Sequence, residues 1–146
     1  MFRTEFIIEW GDCDEAGVVF YPNYFYWLDC TFQRLLRDRG LSQRELMRRF
    51  GVVTPLVDAG AKFRGPAKYD DVLRVEALVE TWETRRFRIV YKLSVADRPV
   101  AEGFEVRASQ GRDVLLSAVL TESASYSISA LSAFKDACSL PARTRA

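Results

Sequence analysis

The sequence predicts a helix that continues to about Arg39, and this helix restricts the fold most, because the apolar side chains between Tyr24 and Leu36 surround its first two turns. Such a helix is stable in water only when other elements enclose it, so we expect it at the centre of the fold. It should begin near Asn23, which can cap it, and end at Gly40. The apolar positions are Tyr24, Phe25, Tyr26, Trp27, Leu28, Cys30, Phe32, Leu35 and Leu36.

Elsewhere the apolar residues recur with a period of two, which is typical of antiparallel β-strands. In the first of these segments Ile8 and Trp10 lie on one face of the strand. In a later one Phe104 and Val106 point inward if the sheet keeps the same face. The predicted strands are residues 2–10, 73–80, 87–95 and 100–109, with residues 114–120 as a candidate last strand.

One enclosed helix with five or six antiparallel strands defines an α+β fold. A curved sheet wrapped around the helix is the compact way to bury both the apolar helix and one face of every strand. A short second helix should start at a capping box of Ser42 and Glu45 and end at Gly51. We expect residues 1–146 to form a single domain, in which residues 123–146 are an atypical tail.

The chain contains no histidine, and this excludes several kinds of catalytic site. Ser-His-Asp and Cys-His mechanisms are ruled out, and the commonest metal ligand is missing. The three cysteines, Cys13, Cys30 and Cys138, are widely spaced and include no Cys-x-x-Cys pair. This pattern argues against a disulfide framework and a structural zinc site, so we expect reduced thiols, no metal and no separate cofactor.

The charges of the chain nearly cancel, with 21 basic and 20 acidic residues and a formal net charge of +1. No overall field draws the protein to nucleic acid or to an anionic membrane, and we expect neither as a partner. The sequence shows no apolar stretch long enough to span a membrane and no secretory leader. We therefore expect a cytoplasmic protein that acts on a small molecule.

The densest group of acids consists of Asp12, Asp14 and Glu15, just before the apolar helix. Gly11 and Gly17 allow this segment to bend sharply, so it should be a loop that delivers the acids close to a helix N-terminus. Unpaired N–H groups at such a terminus stabilise negative charge. Without histidine, this loop is the richest source of a catalytic base or nucleophile. We expect Asp12 and Glu15 to be structural, because neighbouring like charges oppose one another's ionisation.

The sequence of this loop and of the following helix carries a recognisable motif. It reads GDCDEAGVVFYPNY over residues 11–24 and WLD over residues 27–29, with looser motifs at residues 51–55 and 69–73. These residues resemble the 4-hydroxybenzoyl-CoA thioesterase family, and the similarity extends to about Ala108. The resemblance implies the hot-dog fold, thioesterase activity on acyl-CoA, and a homodimer or homotetramer in which neighbouring subunits complete each site.

The resemblance also implies roles for three residues. In that family the aspartate matching Asp14 is the catalytic carboxylate, the backbone N–H matching Tyr21 polarises the thioester carbonyl, and the acid matching Asp29 contacts the hydroxyl of an aromatic acyl group. Asp14 would act either as a nucleophile that forms a mixed anhydride or as a general base towards water. The structural alternatives are a turn cap for Asp14, a core aromatic for Tyr21 and a buried ion pair for Asp29.

The phosphates of coenzyme A require basic side chains or loop amides. Arg85 and Arg86, at the start of a strand next to a presumed hairpin turn, are the first candidates. Arg64 and Lys68, on either side of a Gly-Pro pair, are the second. For each of the four, the alternative is a solvated basic surface.

The leading interpretation is an acyl-CoA thioesterase that hydrolyses an aromatic acyl-CoA, such as hydroxybenzoyl-CoA, or another compact acyl-CoA to the free acid and CoA. One alternative is a non-catalytic protein that binds acyl-CoA or an acyl carrier, in which Asp14 serves folding. Another is a hydratase or dehydratase of the same fold. The last is weak, because such sites generally pair an acid with a histidine.

Overall fold

The computed structural model describes residues 1–109, which form an antiparallel sheet of five strands with two helices. The elements are β1 (Phe2–Ile7), α1 (Pro22–Asp38), α2 (Gln43–Phe50), β2 (Leu56–Phe63), β3 (Val72–Trp82), β4 (Arg86–Val95) and β5 (Arg98–Ala108). The strands lie in the order β1-β3-β4-β5-β2, and each neighbouring pair is antiparallel. The predicted α+β class is confirmed, whereas the candidate strand 114–120 and the tail 123–146 lie outside the described residues.

Helix α1 packs against one face of the sheet and supplies a large part of the hydrophobic core. Trp27, Leu28 and Phe32 are buried, and the ring of Phe32 lies 5.8 Å from that of Phe87 on β4. The predicted position of this helix in the core is therefore confirmed. Residues 1–109 do not enclose it completely, because Tyr26 in its second turn is 66% exposed.

The start of α1 differs from the prediction. Pro22 is the first helical residue, which suits a side chain with fixed φ and no N–H to satisfy. Asn23 lies inside the helix and does not cap it. Its Nδ2 instead donates a hydrogen bond of 2.8 Å to the carbonyl of Asp12. At the other end Gly40 has a φ of +67°, so the predicted termination at this glycine is confirmed.

Helix α2 begins and ends as the sequence predicts. The hydroxyl of Ser42 accepts a hydrogen bond from the N–H of Glu45 at 3.3 Å, and Gly51 follows the helix with a φ of +64°. Only this half of the capping box forms. The carboxylate of Glu45 accepts from the guanidinium groups of Arg48 and Arg49 instead of reaching back to the cap.

The face of strand β5 that points into the core is the opposite of the predicted one. Glu105 and Arg107 are buried, whereas Phe104 and Val106 are only partly buried on the other side of the sheet. The pairing of β4 with β5 shifts its register close to the hairpin that joins them. A shift of one residue exchanges the two faces of a strand, so the prediction, which kept one face throughout, was wrong here.

The end of β1 also differs from the prediction. Ile8 is fully buried while Trp10 is 79% exposed, so the two residues do not share a strand face. The carboxylate of Asp12 accepts a hydrogen bond of 2.9 Å from the N–H of Glu9. This bond accompanies a short 3₁₀ turn, Trp10–Asp12, which ends the extended conformation and starts the acidic loop.

Strand β2 lies at one edge of the sheet and was not predicted. A strand is recognised in a sequence by alternating apolar and polar residues. The burial of residues along β2 does not alternate, so the sequence carried no such signal. Gly60 occupies its middle because the ring of Phe104 on β5 covers that position. A Cβ atom there would lie 2.4 Å from Cε1 of Phe104.

Candidate active site

The acidic loop between β1 and α1 folds back on itself as a tight turn. Cys13 and Val19 form an isolated antiparallel bridge, and the N–H of Asp14 donates to the carbonyl of Val18 at 2.9 Å. The N–H of Gly17 donates to the carbonyl of Asp14 at 2.9 Å, and Gly17 has a φ of +74° that favours glycine. Asp14 is therefore held at the start of a closed, hydrogen-bonded turn.

Asp12 anchors this loop to the beginning of α1. Its carbonyl accepts hydrogen bonds from the backbone N–H of Phe20 at 2.9 Å and from Nδ2 of Asn23 at 2.8 Å. Its carboxylate holds the N–H of Glu9, as described above. The predicted structural role of Asp12 is confirmed, while Glu15 is exposed and makes no side-chain hydrogen bond within residues 1–109.

The carboxylate of Asp14 uses one oxygen to stabilise the loop and leaves the other free. Oδ1 accepts a hydrogen bond from the N–H of Ala16 at 2.9 Å, which is a turn cap. Oδ2 accepts no hydrogen bond from the part of the chain that the structure describes, and the residue is exposed. Both expectations for Asp14 are therefore compatible with one geometry: the capping bond orients the carboxylate, and the second oxygen remains available for chemistry.

The backbone N–H of Tyr21, at the start of α1, has no hydrogen-bond partner in the described part of the chain. The amides of its neighbours are already used: Phe20 donates to the loop, Asn23 donates to the carbonyl of Phe20 at 3.0 Å, and Tyr24 donates to that of Tyr21 at 3.2 Å. Pro22 has no N–H. The Tyr21 amide makes no hydrogen bond to residues 1–109, and it lies at the positive end of the helix dipole. Its side chain is exposed, so it is not a core aromatic.

Asp29 lies in the second turn of α1 and is half-buried. Its Oδ1 accepts hydrogen bonds from Nη2 of Arg107 at 2.5 Å and from Nε2 of Gln33 at 3.2 Å. The ion pair that the sequence left as one of two alternatives is thus present. The side chain still keeps 47% exposure, so the ion pair does not remove the carboxylate from contact with a ligand.

Arg107 belongs to a buried polar cluster that the sequence analysis missed. Its Nε and Nη2 contact Oε2 of Glu105 at 2.9 Å, and the same oxygen accepts from the hydroxyl of Tyr91 at 2.8 Å. Nη1 donates to the carbonyl of Thr54 at 3.3 Å. Glu105 and Arg107 are two residues apart, so they share one face of a strand, and this spacing could have predicted that they pair. It was lost because the wrong face of β5 was taken as buried.

The electrostatics of the cluster keep each member in its hydrogen-bonding form. Burial, followed by the charge of Glu105 and its hydrogen bond, raises the pKa of Tyr91 well above its ordinary value. The phenol therefore remains a donor. Burial opposes the charge on Arg107, but hydrogen bonds and attraction from Glu105 and Asp29 outweigh it and raise the pKa of the guanidinium. Arg107 is thus a permanent cation between two carboxylates.

The two pairs of residues predicted to bind coenzyme A lie at opposite ends of the sheet. Arg64 and Lys68 precede β3, where the backbone of the acidic loop hydrogen-bonds to the chain between them. Arg85 and Arg86 follow β3, at its hairpin with β4. Strand β3 has 11 residues, so at about 3.3 Å per residue the pairs are separated by roughly 30 Å. Within one chain they cannot hold the same phosphate.

The side chains of these four basic residues are exposed, and their contacts differ. Nη2 of Arg64 lies 2.8 Å from Oε2 of Glu102, and this hydrogen bond lowers the pKa of the glutamate. The charged groups of Lys68, Arg85 and Arg86 form no ion pair with any described residue. Arg64 is thus partly satisfied by the protein itself, while the others are available to an anionic ligand.

Cys13 and Cys30 are free thiols. Across residues 1–109, no three His, Cys, Asp or Glu side chains are grouped so that they could hold a metal ion. In that same region, neither helix is long and apolar enough to cross a membrane.

An antiparallel sheet packed on a central helix, with an acidic loop leading into that helix, defines a hot-dog fold protein. The chain belongs to the thioesterase-like superfamily, whose sequence profile matches residues 8–120. The predicted resemblance to the 4-hydroxybenzoyl-CoA thioesterase family is thereby confirmed.

Two curated relatives and a solved structure illustrate the similarity. The chain is 42% identical over 82 residues to 4-hydroxybenzoyl-CoA thioesterase of Pseudomonas sp. strain CBS-3, a match that covers 55% of this chain and 58% of the relative. The structure of that enzyme superposes with a TM-score of 0.71 and 30% identity over 80% of this chain and 94% of the enzyme. A 1,4-dihydroxy-2-naphthoyl-CoA hydrolase of Synechococcus elongatus is 28% identical over 101 residues, covering 68% of this chain and 74% of the hydrolase. The matches to the first three curated relatives span 58%, 62% and 59% of their lengths.

Proposed function

We propose that this protein is an acyl-CoA thioesterase that hydrolyses an aromatic or other compact acyl-CoA to the free acid and CoA. The observation that carries the proposal is the acidic loop, where Oδ2 of Asp14 and the helix-terminal N–H of Tyr21, neither bonded to any of residues 1–109, belong to one hydrogen-bonded unit. Thioester hydrolysis needs both kinds of group. The relatives named for thioester hydrolysis support the same reaction class.

In this mechanism Asp14 attacks the thioester carbonyl carbon or deprotonates the water that attacks it. As the carbon becomes tetrahedral, negative charge develops on the carbonyl oxygen. The N–H of Tyr21 stabilises that charge with a hydrogen bond and with the positive end of the α1 dipole. The C–S bond then breaks and the CoA thiolate leaves. In the nucleophilic route this leaves the acyl group on Asp14 as a mixed anhydride, which water hydrolyses to the free acid and regenerates the carboxylate. In the general-base route Asp14 passes the proton taken from water to the thiolate or to solvent. Because a thiolate is a good leaving group, a carboxylate suffices as base or nucleophile and no histidine is required.

The spacing of Tyr21 and Asp29 along α1 favours a compact acyl group. At 1.5 Å per residue, their Cα atoms are separated by about 12 Å along the helix axis. A flat single-ring acyl group with its carbonyl at Tyr21 and a polar substituent at its far end fits this span. The names of two relatives describe hydroxylated aromatic acyl groups, 4-hydroxybenzoyl and 1,4-dihydroxy-2-naphthoyl, which supports this choice of substrate class.

The proposal includes a homodimer or homotetramer in the cytoplasm. Exposed aromatic side chains at Phe20, Tyr21 and Tyr26 flank the proposed site and offer an apolar surface to a second copy. In such an oligomer Arg64 and Lys68 would bind CoA at their own subunit's site, while Arg85 and Arg86 would reach the site of a neighbour. The free thiols of Cys13 and Cys30 suit a reducing compartment.

The experiment that tests the activity is a thiol-release assay with a panel of aromatic and aliphatic acyl-CoAs. Asp14→Asn should reduce kcat more than about a hundredfold on the best substrate, because the amide keeps the shape and loses the charge. Glu15→Gln is the matched control, since it removes an exposed carboxylate from the same loop and should keep the wild-type rate. Substrate binding without thiol release by the wild-type protein would refute the enzymatic proposal and favour the non-catalytic acyl-binding protein.

A further inference from the structure

The guanidinium of Arg107 links the sheet to α1 through almost all of its donors. It contacts Glu105 through Nε, the carbonyl of Thr54 through Nη1 and Asp29 through Nη2, and its Cζ lies 4.2 Å from the centre of the Phe32 ring. The side chain is only 4% exposed. An arginine held on so many sides has one orientation, so the position of its Nη2 is fixed.

Glu105 holds the Nε and Nη2 of Arg107, and Tyr91 in turn holds Glu105. The side chain of Glu105 is 2% exposed, and its Oε2 receives both Arg107 and the Tyr91 hydroxyl. Burying a carboxylate and a guanidinium carries a large desolvation cost, which good geometry offsets but which a hydrophobic pair would avoid. The stability of the fold alone therefore does not account for placing them there.

The charges of the cluster do not cancel. Arg107 contributes one positive charge, and Glu105 and Asp29 contribute two negative ones. The excess negative charge lies at the more exposed end, on Asp29, since Glu105 is enclosed. Oδ1 of Asp29 is occupied by Arg107 and Gln33, whereas Oδ2 accepts no hydrogen bond from the described residues. The cluster thus presents one fixed carboxylate oxygen that can only accept.

We propose that Arg107, locked by Glu105 and Tyr91, is a positioning residue that makes Asp29 select acyl groups bearing a hydroxyl. This inference rests on the proposed thioesterase function. A hydroxyl at the far end of the acyl group donates to Oδ2, an unsubstituted ring leaves the oxygen unpaired, and a carboxylated ring is repelled. Hydrogen bonds to charged groups contribute roughly 1.5–3 kcal/mol, so the preference for a hydroxylated ring should be about tenfold to a hundredfold.

The test compares kcat/KM for 4-hydroxybenzoyl-CoA with that for benzoyl-CoA, and it uses the ratio so that any general loss of activity cancels. Wild type should show a ratio of at least about tenfold. Arg107→Gln should reduce the ratio to within about threefold, because the released carboxylate no longer has a fixed orientation. Asp29→Asn should do the same. In the double variant the two effects should not add, because Arg107 acts through Asp29.

Arg107→Gln leaves Glu105 buried without its cation, and this can destabilise the fold. A second variant, Glu105→Gln combined with Arg107→Gln, removes both charges and avoids that penalty. It should also lose the hydroxyl preference while its Tm stays closer to that of the wild type. Arg107→Lys keeps the charge without the planar fork and should restore part of the ratio.

The outcomes separate this inference from the function on which it rests. The positioning role is supported if the hydroxyl preference is lost both in Arg107→Gln and in Glu105→Gln combined with Arg107→Gln, and if adding Asp29→Asn to Arg107→Gln causes no further loss. The positioning role is overturned if either of these variants keeps the wild-type ratio of kcat/KM values, or if the losses caused by Arg107→Gln and Asp29→Asn add in the double variant. Wild-type hydrolysis of both substrates at equal kcat/KM overturns the inference and leaves the thioesterase function standing. Hydrolysis of no acyl-CoA overturns both.

Discussion

Gly103 of β5 faces Leu28 of α1 so closely that a Cβ atom on the glycine would lie 2.7 Å from Cδ1 of the leucine. Carbon atoms in a packed core are about 3.5–4.0 Å apart, so no side chain fits between this helix and this strand. The close approach of α1 and β5 also determines which polar side chains meet. It brings α1 next to the inward face of β5, where Arg107 follows Gly103 by two full strand alternations and meets Asp29, the residue after Leu28.

We expect Gly103→Ala to lower the free energy of unfolding by about 1–3 kcal/mol, which is the usual effect of overpacking a core. Chemical denaturation monitored by circular dichroism measures the change. Gly11→Ala is the control, since a Cβ at Gly11 meets nothing within 4 Å. If Gly103→Ala were as stable as this control, the helix and the strand would not be in tight contact.

The pH dependence of stability should reveal the ion pairs of Glu45 on α2. The hydrogen bond from Arg48, joined by that from Arg49, holds the pKa of Glu45 at about 2, against an ordinary value of 4.5. A lowered pKa in the folded state means that the stabilisation is complete above about pH 4.5 and disappears as the pH falls towards about 2.

Glu45→Gln should therefore lower the Tm slightly at neutral pH, by the small amount typical of an exposed ion pair. The difference from the wild type should vanish as the pH approaches about 2. Thermal unfolding at several pH values measures this. Glu15→Gln removes a carboxylate without contacts among the described residues and should show no such trend. A Tm difference that persists unchanged in acid would contradict the pairing.

Local signals in the sequence were sufficient for both helices and for the existence of four of the five described strands, β1, β3, β4 and β5. The side chains of Trp27, Leu28 and Phe32 need burial wherever the helix lies, so its place in the core follows from composition alone. Ser42 and Gly51 delimit α2 by backbone chemistry that depends on the nearest residues. The acidic loop was placed correctly for the same reason, since its glycines permit the sharp bend and the following proline fixes the start of the helix.

The features that the sequence did not reveal depend on distant contacts. The buried face of β5 is set by a register shift in its pairing with β4, which no alternation within β5 encodes. Arg107 and Asp29 are 78 residues apart, so their ion pair exists only after both elements pack. Asn23 was taken as a helix cap because it is a good one in isolation, but Pro22 starts the helix one residue earlier, and the Asn23 amide donates to the carbonyl of Asp12.

Charge reversal at the β3–β4 hairpin tests the predicted contact with CoA. Arg85→Glu combined with Arg86→Glu should raise KM for acyl-CoA by about tenfold, or about 1.4 kcal/mol, with a smaller effect on kcat. Phosphates remote from the reacting carbon contribute mainly uniform binding. The effect should shrink at high salt, because exposed charges are screened.

Two comparisons make this result specific. Arg44→Glu reverses an exposed charge on α2 and should leave KM unchanged. Arg64→Glu with Lys68→Glu reverses the pair at the other end of the sheet, and the larger KM effect will identify the end that meets the nucleotide. An equal penalty on a truncated thioester that lacks the nucleotide would place Arg85 and Arg86 outside the CoA site.

The free amide of Tyr21 can be removed without changing the backbone angle at that residue. Its φ of −53° lies within the range that proline adopts, so Tyr21→Pro is compatible with the cap conformation and eliminates the N–H. If this amide stabilises charge on the thioester oxygen, kcat should fall by about a hundredfold to a thousandfold. Tyr21→Ala removes the exposed side chain, keeps the N–H and should lose less than about tenfold. Rates are compared after thermal unfolding confirms that both variants fold. Equal losses in the two variants would show that the side chain, and not the amide, matters at this position.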